Sequence, residues 1–120
     1  SLISNAIKYR RPGSNLQIKI WSEMEGDDKN ALFFKDTGLG IRVADQAKIF
    51  DLFSRLHRAE EFPGSGVGLA LCRRIVMNHG GSISVESEVG VGSTFKVIFP
   101  TKPTLVFTNL QKAERTGMLI

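Results

Sequence analysis

With 120 residues, 42% of them hydrophobic and 23% charged, the chain suffices for one domain with one core. No signal peptide is visible at its start, and no apolar run comes near the roughly 20 residues that cross a bilayer. Its net charge of +4 (16 basic, 12 acidic residues) is dispersed apart from Arg10-Arg11 and Arg73-Arg74, so nucleic-acid binding is not indicated, and the lone Cys72 excludes an internal disulfide and a cysteine-rich zinc site.

SLISNAIKY opens the chain already in helix period, with Leu2, Ile3 and Ala6 on one face and Ile7 beside them. A helix that starts with no preceding cap is expected to continue a longer chain. Pro12 and Gly13 break it. LQIKIWS alternates and places Leu16, Ile18 and Ile20 on one side of a half-buried strand. EGDDKN is a polar hairpin connection, and ALFFKD is a second strand ending at Asp36. TGLGI is a loop, followed by a short helix predicted from about Val43 to Phe53.

SRLHRAEEFPGSG is charged, then glycine-rich, and long enough to be a functional loop. The helix after it repeats Leu69, Cys72, Val76 and His79 at three- and four-residue spacing, with Leu71 and Ile75 adjoining. Gly80-Gly81 ends it. SISVESE, with Ile83 and Val85 inward, and TFKVIF, ending at Pro100, are predicted to pair as an antiparallel hairpin. Residues 101–120 carry only a weak pattern. This order of elements predicts a layered α/β sandwich.

Three separated features bear on chemistry. Asn5 lies on the first helix, Asp36-Thr37-Gly38-Leu39-Gly40 follows the second strand, and Gly64-Ser65-Gly66-Val67-Gly68 leads into the long helix. Glycine lets backbone N–H groups approach an anion, and a helix N-terminus offers free donors and the positive end of the dipole. The competing reading is a mobile turn before a core helix. Alone, Asn5 is a solvated or capping residue and DTGLG an ordinary turn; the combination in this order is the signal. GxxxxGK[ST] is absent, which excludes a P-loop, and a dinucleotide fold would place its glycines after an early strand.

On these motifs the chain resembles the ATP-binding domain of sensor histidine kinases, in the Bergerat-fold superfamily shared with gyrase, MutL and heat-shock-ninety ATPases. SLISNAIKYR resembles the Asn box, DTGLGI the first glycine box and IFDLFSRLH the Phe box. GSGVGLALCRRIVMNHGGSISVESEVGVGSTFKVIFP resembles the second glycine box with its closing helix and hairpin. The wording FSRLHRAEEFPGSGVGLAL is nearest to the phytochrome-like group. The resemblance covers residues 1–100 as one ATP-binding domain and leaves 101–120 as a tail. It implies an α/β (α+β) two-layer sandwich: a mixed, mainly antiparallel sheet packed on helices, with an ATP lid. The family's usual first strand would precede Ser1, so the expected fold is an N-terminally truncated Bergerat fold.

The resemblance also assigns roles. Asn5 would hold Mg²⁺ through its side-chain oxygen, a ligand type that suits this ion. Lys8 and Tyr9 would approach the phosphates and flank the nucleotide. Asp36 would accept a hydrogen bond from the exocyclic amine of adenine. Gly38 and Gly40 would let the backbone pass close to the base, with Ile41 completing the box. Phe50 and Phe53 would anchor the lid by core packing. Arg55 would reach the γ-phosphate, and Gly64, Ser65, Gly66, Val67, Gly68 and Leu69 would close over the phosphates. Asn5, Lys8 and Arg55 form the implied catalytic set. Ser1 stands where the family usually has a second Asn, and its hydroxyl would reach water near the metal. His57 and His79 lack the helix context of a phosphoacceptor.

The implied function is transfer of the γ-phosphoryl group of ATP to a His on a separate helical dimerisation domain, by positioning and charge neutralisation. The implied partners are ATP, Mg²⁺, that phosphoacceptor domain and a downstream response regulator. The setting would be cytoplasmic, in a homodimeric parent that is free or membrane-anchored, with no nucleic acid. Two alternatives stay open: an ATP-binding or docking module without turnover, and a serine kinase of the anti-sigma-factor type.

Overall fold

The computed structural model describes residues 1–51 and 68–101. The elements are α1 (Leu2–Lys8), β1 (Ile18–Met24), β2 (Lys29–Asp36), α2 (Val43–Gln46), α3 (Gly68–Asn78), β3 (Ser82–Glu88) and β4 (Gly92–Pro100). The strands form one sheet in the order β1-β2-β4-β3, with every pairing antiparallel. The expected mixed component therefore has no counterpart among the described residues.

Side chains alternate across a strand, so the register sorts the sheet into two faces. Ile20, Phe34, Phe95 and Val85 form one row of the inner face, and Ser22, Leu32, Val97 and Ile83 form the next. On this face Phe95 and Val97 are buried against Leu2 of α1, Ile49, and Cys72 and Val76 of α3. Each such side chain contributes about 1.5–3 kcal/mol when taken out of water. Phe50 closes the cluster edge-on to Phe95, with ring centroids 6.3 Å apart, as its expected packing role requires. The outer face carries Trp21 stacked on Phe33 at 4.9 Å and a Lys96–Glu25 ion pair of 2.7 Å.

Four expectations from periodicity change. The α-helical part after the first glycine loop is only Val43–Gln46. Residues 47–51 continue as i→i+3 turns, with Lys48 N–H donating to Asp45 and Asp51 N–H to Lys48. Ile20 is 48% exposed, because β1 lies at the sheet edge beyond the helices' cover. Leu71 is 57% exposed, on the far side of α3 from Cys72 and Val76. Finally, β2 and β4 run longer than predicted, because pairing with each other carries both past their apolar cores.

Gly80 takes φ +78° and ends α3 where the paired glycines predicted a stop. No helix among the described residues is long and apolar enough to cross a membrane.

Candidate functional site

Asp36 is the last residue of β2, and its inner-face row is Ile18, Asp36, Ser93 and Ser87. Its Oδ1 accepts from Gly38 N–H at 2.9 Å and from Ser93 N–H at 3.3 Å. Both bonds are partly buried, so the carboxylate is fixed in direction. Oδ2 receives no hydrogen bond among the described residues. An oriented carboxylate with one free oxygen is an acceptor for a ligand N–H.

The loop after Asp36 is held by groups from outside it. Thr37 exchanges bonds with Gln17: its N–H donates to Gln17 O, and its Oγ1 accepts from Gln17 N–H. Leu39 N–H donates to Tyr9 O at 3.0 Å, and Leu39 O accepts from Gly90 N–H at 2.9 Å. Ile41 N–H donates to Ser87 Oγ at 2.8 Å, and Gln46 Nε2 donates to both Ile41 O and Ser87 O. Thr37 O accepts from Arg11 Nε. Backbone groups that a loop normally gives to water are here paired with α1, α2, β1's lead-in and the β3–β4 hairpin.

Two glycines explain how the segments come so close. Gly40 has φ +77°, and a Cβ there would run into the Glu88 carbonyl of the hairpin. Gly92 has φ +140°, and a Cβ there would overlap the Asp36 carbonyl. Gly38 is buried, with the Tyr9 carbonyl and Asp36 Oδ1 where a side chain would start. Its expected service to the base therefore has a packing requirement beside it.

Helix α1 joins this loop to the second glycine motif. At its start, Ser1 Oγ donates to Gly68 O at 3.1 Å, so the hydroxyl expected near a metal is engaged with α3. At its end, Tyr9 O meets Leu39 N–H. The helix spans about 12 Å between these contacts, and Asn5 sits midway. The Asn5 side chain is half-buried and makes no hydrogen bond among the described residues. Lys8 Nζ lies 5.4 Å from the Tyr9 ring centroid. Leu69, the second residue of α3, packs on the core. A depression of about 280 Å³ at the sheet end is lined by Asp36, Ser87, Gly92 and Ser93, with Lys35, Glu86 and Thr94 on the other side.

The structure thus brings Asn5, Lys8, Tyr9, Asp36, Gly38, Gly40, Ile41, Gly68 and Leu69 onto α1, its contacts and the adjoining loop. Phe53, Arg55, Gly64, Ser65, Gly66 and Val67 lie outside the described residues. Sequence reasoning missed Ser87, Ser93, Gln46 and Arg11. Ser87 Oγ lies 2.7 Å from Ser93 Oγ, and both are near Asp36 through the row they share. The available signal was periodicity: Ser87 follows Ile83 and Val85, and Ser93 precedes Phe95 and Val97, each a hydroxyl where an apolar residue is due. Among the described residues, no group of three or more His, Cys, Asp or Glu is placed to hold a metal.

The family model for histidine kinase-, DNA gyrase B- and HSP90-like ATPases matches residues 1–103. The circadian input-output histidine kinase CikA of Synechococcus elongatus is 39% identical over 102 residues, covering 83% of this chain and 13% of its own length. The sensor protein SrrB of Staphylococcus aureus is 38% identical, over 83% of this chain and 17% of its own length. The chain therefore spans less than a fifth of these relatives. Among solved structures, the mycobacterial sensor histidine kinase MprB superposes with TM-score 0.71 at 26% identity, covering 86% of this chain and 67% of that one. The nucleotide-free catalytic domain of histidine kinase ThkA gives 0.67 at 33% identity, over 85% and 63%. Full-length ShkA, in complex with AMPPNP, gives 0.68 at 26% identity, over 84% and 20%.

Proposed function

Because the chain belongs to the histidine kinase-, DNA gyrase B- and HSP90-like ATPase family, we propose that it is the ATP-binding catalytic domain of a two-component sensor histidine kinase. It would pass the γ-phosphoryl group to a His on a separate helical dimerisation domain, for onward transfer to a response regulator. One observation carries this reading: α1 holds Asn5 between a contact to Gly68 at its start and one at its end to the loop at Gly38 and Leu39, which follows the fixed carboxylate of Asp36. The CikA and SrrB likenesses support the kinase assignment, and the ShkA complex supports a nucleotide as ligand. The parent is a homodimer acting in the cytoplasm, anchored or free.

The Asp36 carboxylate accepts the adenine amine and disfavours guanine, which presents a carbonyl there. Tyr9 flanks the nucleoside. Lys8 meets the phosphates as a point charge, and the γ-phosphate falls to Arg55 and the run from Gly64 to Leu69, of which only Gly68 and Leu69 are among the described residues. The unengaged amide of Asn5 offers the oxygen that Mg²⁺ prefers. Asn5 would hold Mg²⁺, which would supply neutralisation of phosphate charge, and Asp36 fixes the opposite end of the nucleotide. With both ends held, the terminal phosphoryl group points one way, and in-line transfer follows from positioning.

A reading without turnover draws on one observation, the Ser1 hydroxyl engaged at Gly68 O where the family has a second Asn. Labelled ATP and the purified helical domain separate the two: acid-labile label on its histidine supports the kinase, and binding without transfer supports the module. In the same preparation Asp36→Asn lowers ATP affinity by about 1.5–3 kcal/mol, a loss on the order of 10- to 100-fold by calorimetry. An unchanged affinity would remove Asp36 from the base site.

A further inference from the structure

We propose that Arg11 is a positioning residue of the nucleotide site, holding the loop after Asp36 in register with α1 and the β3–β4 turn; this rests on the nucleotide-site reading above. Arg11 follows α1 closely in sequence and is half-buried. Its Nε donates to Thr37 O at 3.0 Å and its Nη1 to Gly90 O at 3.0 Å. One planar guanidinium thus bonds two carbonyls from segments far apart in sequence, and among the described residues it has no carboxylate partner. Gly90 in turn donates to Leu39 O, and Leu39 donates to Tyr9 O. The result is a closed circuit: the end of α1, the loop, the turn and back to Arg11.

The circuit sets the distance between the two sides of the nucleoside site. Tyr9, which flanks the nucleoside, closes α1, while Asp36 Oδ2, which meets the base, rides on the strand end that the loop continues. Ligands that touch both are sensitive to small displacements of one against the other. A fork with fixed geometry resists such displacement in a way that a single ammonium does not, so lysine is a poor substitute. The neighbouring Arg10 supplies the contrast. It is exposed, and among the described residues its side chain donates only to Ile7 O of its own helix.

The test uses the 120-residue chain and five variants: Arg11→Met, Arg11→Lys, Arg10→Met, Asp36→Asn, and Asp36→Asn combined with Arg11→Met. Affinities for ATP and adenosine are measured by competition against a fluorescent nucleotide. Arg11→Met should weaken both ligands about tenfold, with at most partial recovery in Arg11→Lys, while Arg10→Met, with the same charge change, stays within about twofold. Because Arg11 acts through the Asp36 loop, the double variant should bind ATP about as well as Asp36→Asn alone. Additive losses would overturn the proposal, as would a loss confined to ATP with adenosine unaffected, which makes Arg11 a direct phosphate contact. Amide hydrogen exchange reads the clamp without any nucleotide. Arg11→Met should speed exchange at Leu39, Ile41 and Gly90 while leaving Val97 unchanged. Uniform acceleration, or none, overturns it. Absence of ATP binding by the unmodified chain would sink the nucleotide reading, and the exchange pattern would still decide whether Arg11 holds the loop.

Discussion

Asp36 uses its two carboxylate oxygens differently, and so do other residues of the site. One Asp36 oxygen is bonded to the Gly38 and Ser93 amides; the other accepts no hydrogen bond among the described residues. The Asn5 backbone belongs to α1, through bonds to Ser1 O and from Tyr9 N–H, while its amide side chain makes no hydrogen bond among the described residues. Replacing Asn5 by Ala therefore leaves the helix intact, since Ala is a better helix former. The expected outcome is ATP affinity that no longer responds to Mg²⁺, checked by titration with and without the ion; a persisting response would make Asn5 a plain helix residue. His79 is accounted for structurally: Nδ1 donates to Ile75 O at 2.8 Å and the ring packs edge-on to Phe99. At Cys72, burial pushes the thiol pKa up. The buried form is thus the neutral thiol, and folding stability associated with it is present at neutral pH and lost as pH rises into the alkaline range. Native Cys72 should react with a thiol reagent far more slowly than in urea-unfolded chain at pH 8, and equal rates would contradict its burial.

Among the elements, the hairpin of β3 and β4 does more than close the sheet. Its turn backs the loop after Asp36 through Gly90, Ser87 and the Glu88 carbonyl. Gly40→Ala should destabilise by about 1–3 kcal/mol or more, because it combines a strained positive φ with a clash against backbone. Thermal unfolding and adenosine affinity should fall together, and a neutral result would mean that the hairpin yields. The strands, both longer helices and their order were legible because they repeat at 2 or 3.6 residues with punctuation between. Asp36, Asn5 and the glycines were legible as ordered motifs. Ser87 showed only as a break in its strand's apolar alternation, and Gln46 and Arg11 were not legible, because they act by bonding backbone groups distant in sequence and no local pattern marks such a partner. The overlong α2 failed for a related reason: Ile49 and Phe50 fit a helix period yet reach the core from successive turns.

At the scale of the molecule, one helical layer on one antiparallel sheet among the described residues leaves the two faces unequal. The inner face buries the apolar rows, and the site forms where those rows give way to Asp36, Ser93 and Ser87 at the sheet end. The outer flank of β1 has no pairing strand among the described residues, and Ile20 and Met24 are largely exposed beside it. Along its seven residues, the alternate amides and carbonyls that β2 does not bind have no strand partner among the described residues and invite another extended chain to zip on, and Lys19 and Glu23 are the charges that discourage a stranger. Handling the chain at high concentration thus favours self-association along that hem, and a proline grafted into β1 at an outward N–H would keep it monodisperse.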